Sequence, residues 1–514
     1  MNNTPIQSIL IVGGGSAGWL TAGILAATHQ QRIRQKQLTI TLVESADIAT
    51  IGVGEGTWPT MPDTMQKLGI DERDLFRHVP MSFKQGSQFI NWHSEHAESS
   101  YLHPFDVPPG AVEGDLSRLW LQQNTAQPFS QYISIQHATC ALGLAPKTTQ
   151  QGSYDAYLNY GYHLDARAFA KYLKHHCMDK LGVEHRIANI KKVNVGADKT
   201  ITSLDTDTDE RLHADLFIDC SGIKALLLGQ ALSVKNIDVS DTLFCDRALT
   251  AQIPEQHSPI ASVTRASAQT SGWIWDIPVP QRRGIGHVYS SRHMDSADAS
   301  GVLEQYIRSS FSSTASSTYE IREIAFNPGY KEQFWVGNCL AIGLAAGFIE
   351  PLEASALVMI ELSANMLAEQ LPVDQSEMPI IAKRFNQTFH YRWQRVIEFL
   401  KLHYVLSERQ SRFWLDHRDP QTIPERLKEL LQLWRHRVPS LLDFDRNGEI
   451  FQAASYQYVL YGSGYPTQLQ QSLPQDKVQQ LLAQIETTKH NQLQLQSGLP
   501  RNRQWHDVFM AHLA

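Results

Sequence analysis

Cysteine is scarce and scattered, with five residues in a chain of 514, at positions 140, 177, 220, 245 and 339. An odd number at such spacings builds no disulfide framework and points to reduced thiols in a cytoplasmic protein. Long apolar runs are missing too. The longest stretch, near Cys339 to Ile349, falls well short of the roughly 18 residues of a spanning helix, so no membrane segment is expected. Positive charge is not in excess either, because 45 basic against 52 acidic residues leave a mildly negative chain without an electrostatic footprint for nucleic acid. The opening Met1-Asn-Asn-Thr-Pro-Ile-Gln7 has neither the basic start nor the apolar core of a signal peptide. No internal repeat is found. His175-His176-Cys177 invites a metal reading, but consecutive residues on a helix point in different directions and cannot easily share an ion, so a partly solvated helix surface and no metal site are expected.

What is present starts with Ile9-Leu-Ile-Val12, then Gly13-Gly14-Gly15-Ser16-Ala17-Gly18, then Trp19-Leu-Thr-Ala-Gly-Ile-Leu-Ala-Ala27. Strand, glycine turn and helix in this order are the context that the Gly-x-Gly-x-x-Gly dinucleotide fingerprint requires. Gly13 permits the turn, Gly15 admits a pyrophosphate close to the backbone, and Gly18 lets helix and strand approach. A second strand, Leu38 to Val43, ends in Glu44, an acid placed to accept from a ribose diol. Gly14-Gly-Ser16-Ala-Gly18 also fits the hydrolase nucleophile elbow in form. That fold needs earlier strands and an upstream oxyanion loop, for which too few residues precede Ser16. Two later segments resemble the strands by which large flavoproteins return to the first sheet: Ala214-Asp-Leu-Phe-Ile-Asp219-Cys-Ser-Gly222, and Asn338-Cys-Leu-Ala-Ile-Gly343-Leu-Ala-Ala-Gly347, read as a strand opening into a glycine turn and helix. With no second fingerprint after a strand, the cofactor expected is FAD, held at Gly13, Gly15, Ser16, Ala17, Gly18, Glu44, Gly343 and Gly347. Buried strand ends that simply need small residues would explain the two later segments equally in kind.

Further motifs run along the chain: Gly52-Val-Gly-Glu-Gly-Thr-Trp-Pro59, Ser82-Phe-Lys84-Gln-Gly86, Tyr101-Leu-His103-Pro-Phe105, Gly272-Trp-Ile-Trp-Asp-Ile-Pro278, Gly347-Phe-Ile-Glu-Pro-Leu-Glu353, and the segment 395–414 around Phe-Leu-Lys-Leu-His-Tyr404. On these residues the chain resembles the flavin-dependent tryptophan halogenases. The resemblance implies that reduced FAD from a separate NAD(P)H-dependent flavin reductase, with O2 and halide as co-substrates, yields hypohalous acid that is steered to an electron-rich aromatic such as tryptophan or another indole. By the same resemblance Gly52 to Pro59 is a flavin strap, and Lys84 holds the oxidant by hydrogen bonds or as a haloamine. Glu353 polarises the oxidant or takes the ring proton. Trp273 and Trp275, on one face of a strand with Ile274 on the other, line the flavin side of a tunnel. His103, Phe105 and Tyr456 are the substrate-side candidates, although the segment 451–466 follows the family's amino-acid clamp only loosely, which leaves other indoles, phenols and carrier-bound groups open.

The family commonly continues after the glutamate with Ser-Thr-Gly, whereas this chain has Ala354-Ser355-Ala356. Backbone amides at Ser355 and Ala356 can still serve a halide, but alanine resists a positive φ that glycine accepts, so an altered turn and a preference for bromide are expected. Two other functions stay open: an FAD-dependent aromatic monooxygenase, and a catalytically silent protein that binds flavin and an aromatic ligand.

The fold class expected is α/β: an FAD-binding Rossmann-like core with an inserted mixed β-sheet region and a C-terminal helical region. An FAD and substrate-sheet domain would span 1–375, its FAD part discontinuous at about 1–95, 160–225 and 325–370. A helical substrate-capping domain would span 376–514. The partners expected are the reductase and a small aromatic substrate, with a homodimer left open.

Overall fold

The computed structural model describes residues 4–48, 54–95, 99–255, 258–311, 319–444 and 449–513; Gly52 and Val53 of the strap motif lie outside them. The chain forms two compact units, one of Met1–Pro80, Leu164–Val239 and Phe326–Trp393, the other of Met81–His163, Ser240–Ala325 and Gln394–Ala514. This division differs from the expected break at 375/376. Residues 81–163 and 240–325 group with the C-terminal helices because those helices pack on that sheet: the Tyr101 side chain occupies the space where a Cβ on Gly462 would stand, 2.7 Å away.

The first unit is built on a six-stranded sheet in the order 335–336, 339–341, 216–219, 8–12, 39–44, 184–187. All pairings are parallel except the terminal 335–336 hairpin. Ile9, Leu10, Ile11 and Val12 are all buried, the continuous apolar run of a parallel strand covered on both faces. Helices Ser16–Thr28, Ala166–Asp179 and Ser355–Glu369 belong to this unit. A Cβ on Gly23 would lie 2.7 Å from Leu68 and 3.3 Å from the Cys177 Sγ, so helix contacts here are close. His176 reaches the Leu68 carbonyl and Cys177 faces Trp19, so the two side chains diverge.

The second unit carries a seven-stranded mixed sheet in the order 322–325, 247–254, 282–289, 272–279, 264–269, 86–90, 100–104. Ile274 and Ile285 pack on one side against Leu303 and Ile307 of helix Ser296–Ser310, as period-2 alternation requires. After Ser376 the structure is mainly helical, with helices at Met378–Val405, Glu425–Trp434, Ala453–Gly462 and Gln475–Gly498. Among the described residues no helix is long and apolar enough to cross a membrane.

Candidate active site

In the first unit the glycine turn has the shape of a pyrophosphate cradle. Gly13 has φ +119°, and a Cβ there would meet the Cys220 carbonyl oxygen at 2.2 Å. A Cβ on Gly18 would meet the Gly13 carbonyl oxygen at 1.9 Å, while one on Gly15 would meet nothing within 4 Å. Two glycines are therefore demanded by the protein itself, and the third opens onto free space. Gly15 is also the helix N-cap and provides no side-chain cap, so the first-turn amides at Ser16 and Ala17 are available to an anion at the positive end of the helix. Ser16 Oγ donates to the Ala166 carbonyl at 3.4 Å, a structural contact. Gly343, at φ +72°, abuts this turn, since a Cβ on it would stand 2.7 Å from that of Ala17. These residues fit the diphosphate of FAD.

Glu44 ends its strand as expected. Its Oε1 accepts from Lys174 Nζ at 2.6 Å and is 2.8 Å from His185 Nε2, while Oε2 occupies the space that a Cβ on Gly14 would need. The segment after strand Cys339–Ala341 departs from the expectation. Gly343–Ala345 is a 3₁₀ turn, Gly347–Phe348 is a short strand against Gly329–Tyr330, and the helix starts only at Ser355. Gly347 is required by that strand contact, because a Cβ on it would meet Tyr330 at 2.6 Å.

Glu353 and Ala354 are both left-handed, at φ +63° and +54°, a conformation that costs non-glycine residues roughly 1–2 kcal/mol each. Glu353 is buried, and its carbonyl accepts from Trp58 Nε1 at 2.8 Å. The turn leads into helix Ser355–Glu369, whose N-cap Ala354 supplies no side-chain cap. The Ser355 and Ala356 amides thus open the helix at its positive end. The turn differs from the one expected at residue 356. Residue 356 is inside the helix, where alanine is the better residue, and the positive φ falls on 353 and 354.

In the second unit Lys84 is 1 % exposed. Sheet register places it. Gly86 pairs with Pro104 and Ser87 with His103, and the Phe105 N–H continues the ladder to the Gln85 carbonyl at 2.9 Å. The Lys84 Nζ consequently lies 5.3 Å from the Phe105 ring centroid. The flanking residues hold the strand: Ser82 Oγ donates to the carbonyl of Pro278, the last residue of the tryptophan motif, at 2.8 Å, and Phe83 packs against Trp505 and Tyr160. Burial and the Lys84 charge hold the His163 imidazole well below its ordinary value, and its Nε2 is 2.8 Å from Thr264 Oγ1.

Trp273 and Trp275 share a face, with ring centroids 6.3 Å apart. Gly286 on the paired strand is what admits Trp275, since a Cβ there would lie 2.1 Å from its ring. His103 is buried beside Phe399 and Tyr458 at 5.8 and 6.0 Å. Tyr456 is fully buried against Phe399, Trp434 and Phe444, so the structure uses it as a core aromatic. Sequence reasoning included Trp58 and Phe399 only as members of quoted motifs, without a role of their own, and missed His163 and Gly286, which carried no signal.

The tryptophan halogenase family model matches residues 8–478. This chain belongs to that family. The halogenase is 45% identical to a tryptophan halogenase from Shewanella frigidimarina of known structure, over 98% of each chain, with a TM-score of 0.93. It is 29% identical over 480 residues to the 7-chloro-L-tryptophan 6-halogenase KtzR of Kutzneria sp., covering 89% of this chain and 90% of the relative. To the tryptophan 7-halogenase RebH of Lentzea aerocolonigenes it is 30% identical over 449 residues, covering 84% and 82%. It is an enzyme, a flavin-dependent halogenase.

Proposed function

We propose that this halogenase places chlorine or bromine on the ring of tryptophan or a related indole, using FADH2 from a separate flavin reductase, O2 and halide. The observation that carries the reading is Lys84: a long basic side chain, 1 % exposed, directed at an aromatic wall. Lys147, Lys331 and Lys401 are buried as well, and what singles out Lys84 is its place in the Ser82–Gly86 motif beside Phe105.

Reduced FAD, when bound, would activate O2, which accepts two electrons from the flavin and two from the halide (FADH2 + O2 + X⁻ + H⁺ gives FAD + HOX + H2O). The Gly13–Gly18 turn and Gly343 hold its diphosphate, and the Ser355 and Ala356 amides attract the halide. Trp273 and Trp275, buried on one strand face, exclude water along the oxidant's route. Lys84 then either donates hydrogen bonds to hypohalous acid or, as the free amine, forms N–X with release of water. In both cases halogen reaches the ring carbon as X⁺, the ring's C–H pair restores aromaticity, and the proton passes to the Glu353 carboxylate. The net change is ArH plus HOX to ArX plus H2O. Phe105 and His103 orient the ring. With residue 356 helical, the ground for preferring bromide disappears, and both halides are proposed.

Mass spectrometry of reactions with FAD, a flavin reductase, NADH, O2, halide and a panel of indoles and phenols tests this. A halogen mass shift with wild type and none with folded Lys84→Ala is the expected result. A one-oxygen shift alone would move the reading to a monooxygenase, and ligand binding without any halide-dependent product would move it to a silent binding protein.

A further inference from the structure

A row of polar contacts joins the segment that follows the strap motif to the helix that begins just beyond Glu353. Trp58 Nε1 donates to the Glu353 carbonyl at 2.8 Å. Thr60 and Thr64 hydroxyls donate to the two oxygens of Glu361 at 3.0 and 2.5 Å, and Lys67 Nζ donates to Asn365 Oδ1 at 2.8 Å. The donors lie on or directly before helix Thr60–Lys67, and the last two acceptors lie on helix Ser355–Glu369. Both sets advance in the same chain direction, so three ties along the helices fix the position of the fourth.

The fourth is the unusual one. Glu353 and Ala354 both sit in the left-handed region without being glycine, and such residues persist only where the surroundings over-determine them. The helix that follows contributes no side-chain cap at Ala354. Within the turn, Ala354 N–H donates to the Pro351 carbonyl at 3.0 Å, while the Glu353 carbonyl is turned outward to meet the indole. An indole N–H is a donor with no acceptor function and a rigid ring behind it, suited to hold one carbonyl in one direction.

We propose that Trp58 is a positioning residue for Glu353. Its indole N–H holds the left-handed 353–354 turn, and thereby the direction of the Glu353 carboxylate and of the Ser355 and Ala356 amides. The inference rests on the reading of Glu353 as the proton acceptor of halogenation.

The test compares Trp58→Phe, Trp58→His, Glu353→Gln, Ala354→Gly and the double variant Trp58→Phe/Ala354→Gly in steady-state halogenation. Trp58→Phe should lower kcat about 10- to 100-fold, the scale of a small misplacement of a reacting group, with the aromatic substrate's KM and the FAD Kd within about twofold of wild type. Trp58→His keeps a ring N–H and should lose less. Ala354→Gly makes the left-handed turn inexpensive and should recover most of the loss in the double variant. A Trp58→Phe kcat within twofold of wild type while Glu353→Gln is inactive overturns the positioning role. Equal losses in Trp58→Phe and Trp58→His, with no recovery in the double variant, overturn it as well. Full activity in Glu353→Gln removes the underlying reading of Glu353 instead.

Discussion

Gly15→Ala separates two functions that the glycine turn combines. Gly15 has φ −78°, open to any residue, and its added Cβ meets nothing within 4 Å. Alanine is a poorer cap than glycine by roughly 0.5–1 kcal/mol, and the loss of unfolded-chain freedom returns about 0.4–1 kcal/mol. The flavin-free variant should therefore melt within about 2 °C of wild type. The same methyl group would enter the open space that we assign to the pyrophosphate beside the first-turn amides. Losing one charge-assisted hydrogen bond costs about 1.5–3 kcal/mol, a weakening of FAD binding by roughly 10- to 100-fold. At FAD about 100 times the wild-type Kd, binding stabilises wild type by about 2.7 kcal/mol, and a 100-fold weaker variant retains only about 0.4 kcal/mol. Flavin fluorescence titration and thermal melts with and without FAD read both effects. Gly13→Ala is the contrast: at φ +119°, with its Cβ 2.2 Å from a backbone oxygen, it should destabilise the flavin-free protein itself. Gly15→Ala binding FAD within threefold of wild type would refute the assignment of that open space to the diphosphate.

Gly286→Ala should displace the Trp275 ring, since its Cβ would lie 2.1 Å from that ring; a loss of about 1–3 kcal/mol is expected, read by denaturant unfolding together with a changed near-UV tryptophan spectrum. An unchanged spectrum would contradict it. Burial pushes the Glu361 carboxyl up to about 7 from its ordinary 4.5, against the lowering effect of the Thr64 and Thr60 hydroxyls. The native state then binds more protons than the unfolded state between these values, so this group's contribution is fully present below about pH 4.5 and is lost as pH rises through about 7, on the order of 3 kcal/mol in all. Glu361→Gln should match wild-type stability near pH 4 and exceed it at pH 8; a difference that does not vary with pH would count against this assignment.

Features with short-range causes were legible in the sequence. Gly18 is dictated by a steric contact within one strand–turn–helix, Gly13 by the positive φ of that same turn, although the backbone it abuts at Cys220 is distant in sequence, and the alternation at Trp273, Ile274 and Trp275 by the pleat of one strand. Features decided by distant segments were not. Nothing local marks Glu353 and Ala354 as left-handed, because the hydrogen bond to that turn comes from residue 58. Gly286 has no meaning until Trp275 is known to lie over it. Tyr456 reads the same whether it faces a ligand or the core, and only the packing of Phe399, Trp434 and Phe444 assigns it. The grouping of 81–163 with the C-terminal helices depends on contacts such as Gly462 with Tyr101, hundreds of residues apart.

The strand order of the first sheet sets a clock on biosynthesis. Strand Ser8–Val12 is translated first, yet one of its two neighbours is Leu216–Asp219, whose own outer neighbour is Cys339–Ala341. At about 5–20 residues per second, the four buried apolar residues Ile9 to Val12 wait for the sheet to be completed for roughly 20–70 s after leaving the ribosome. For that interval an unpaired β edge is exposed to every other nascent chain, so recoverable yield in a cell should follow translation rate and chaperone supply more closely than the melting temperature of the finished enzyme.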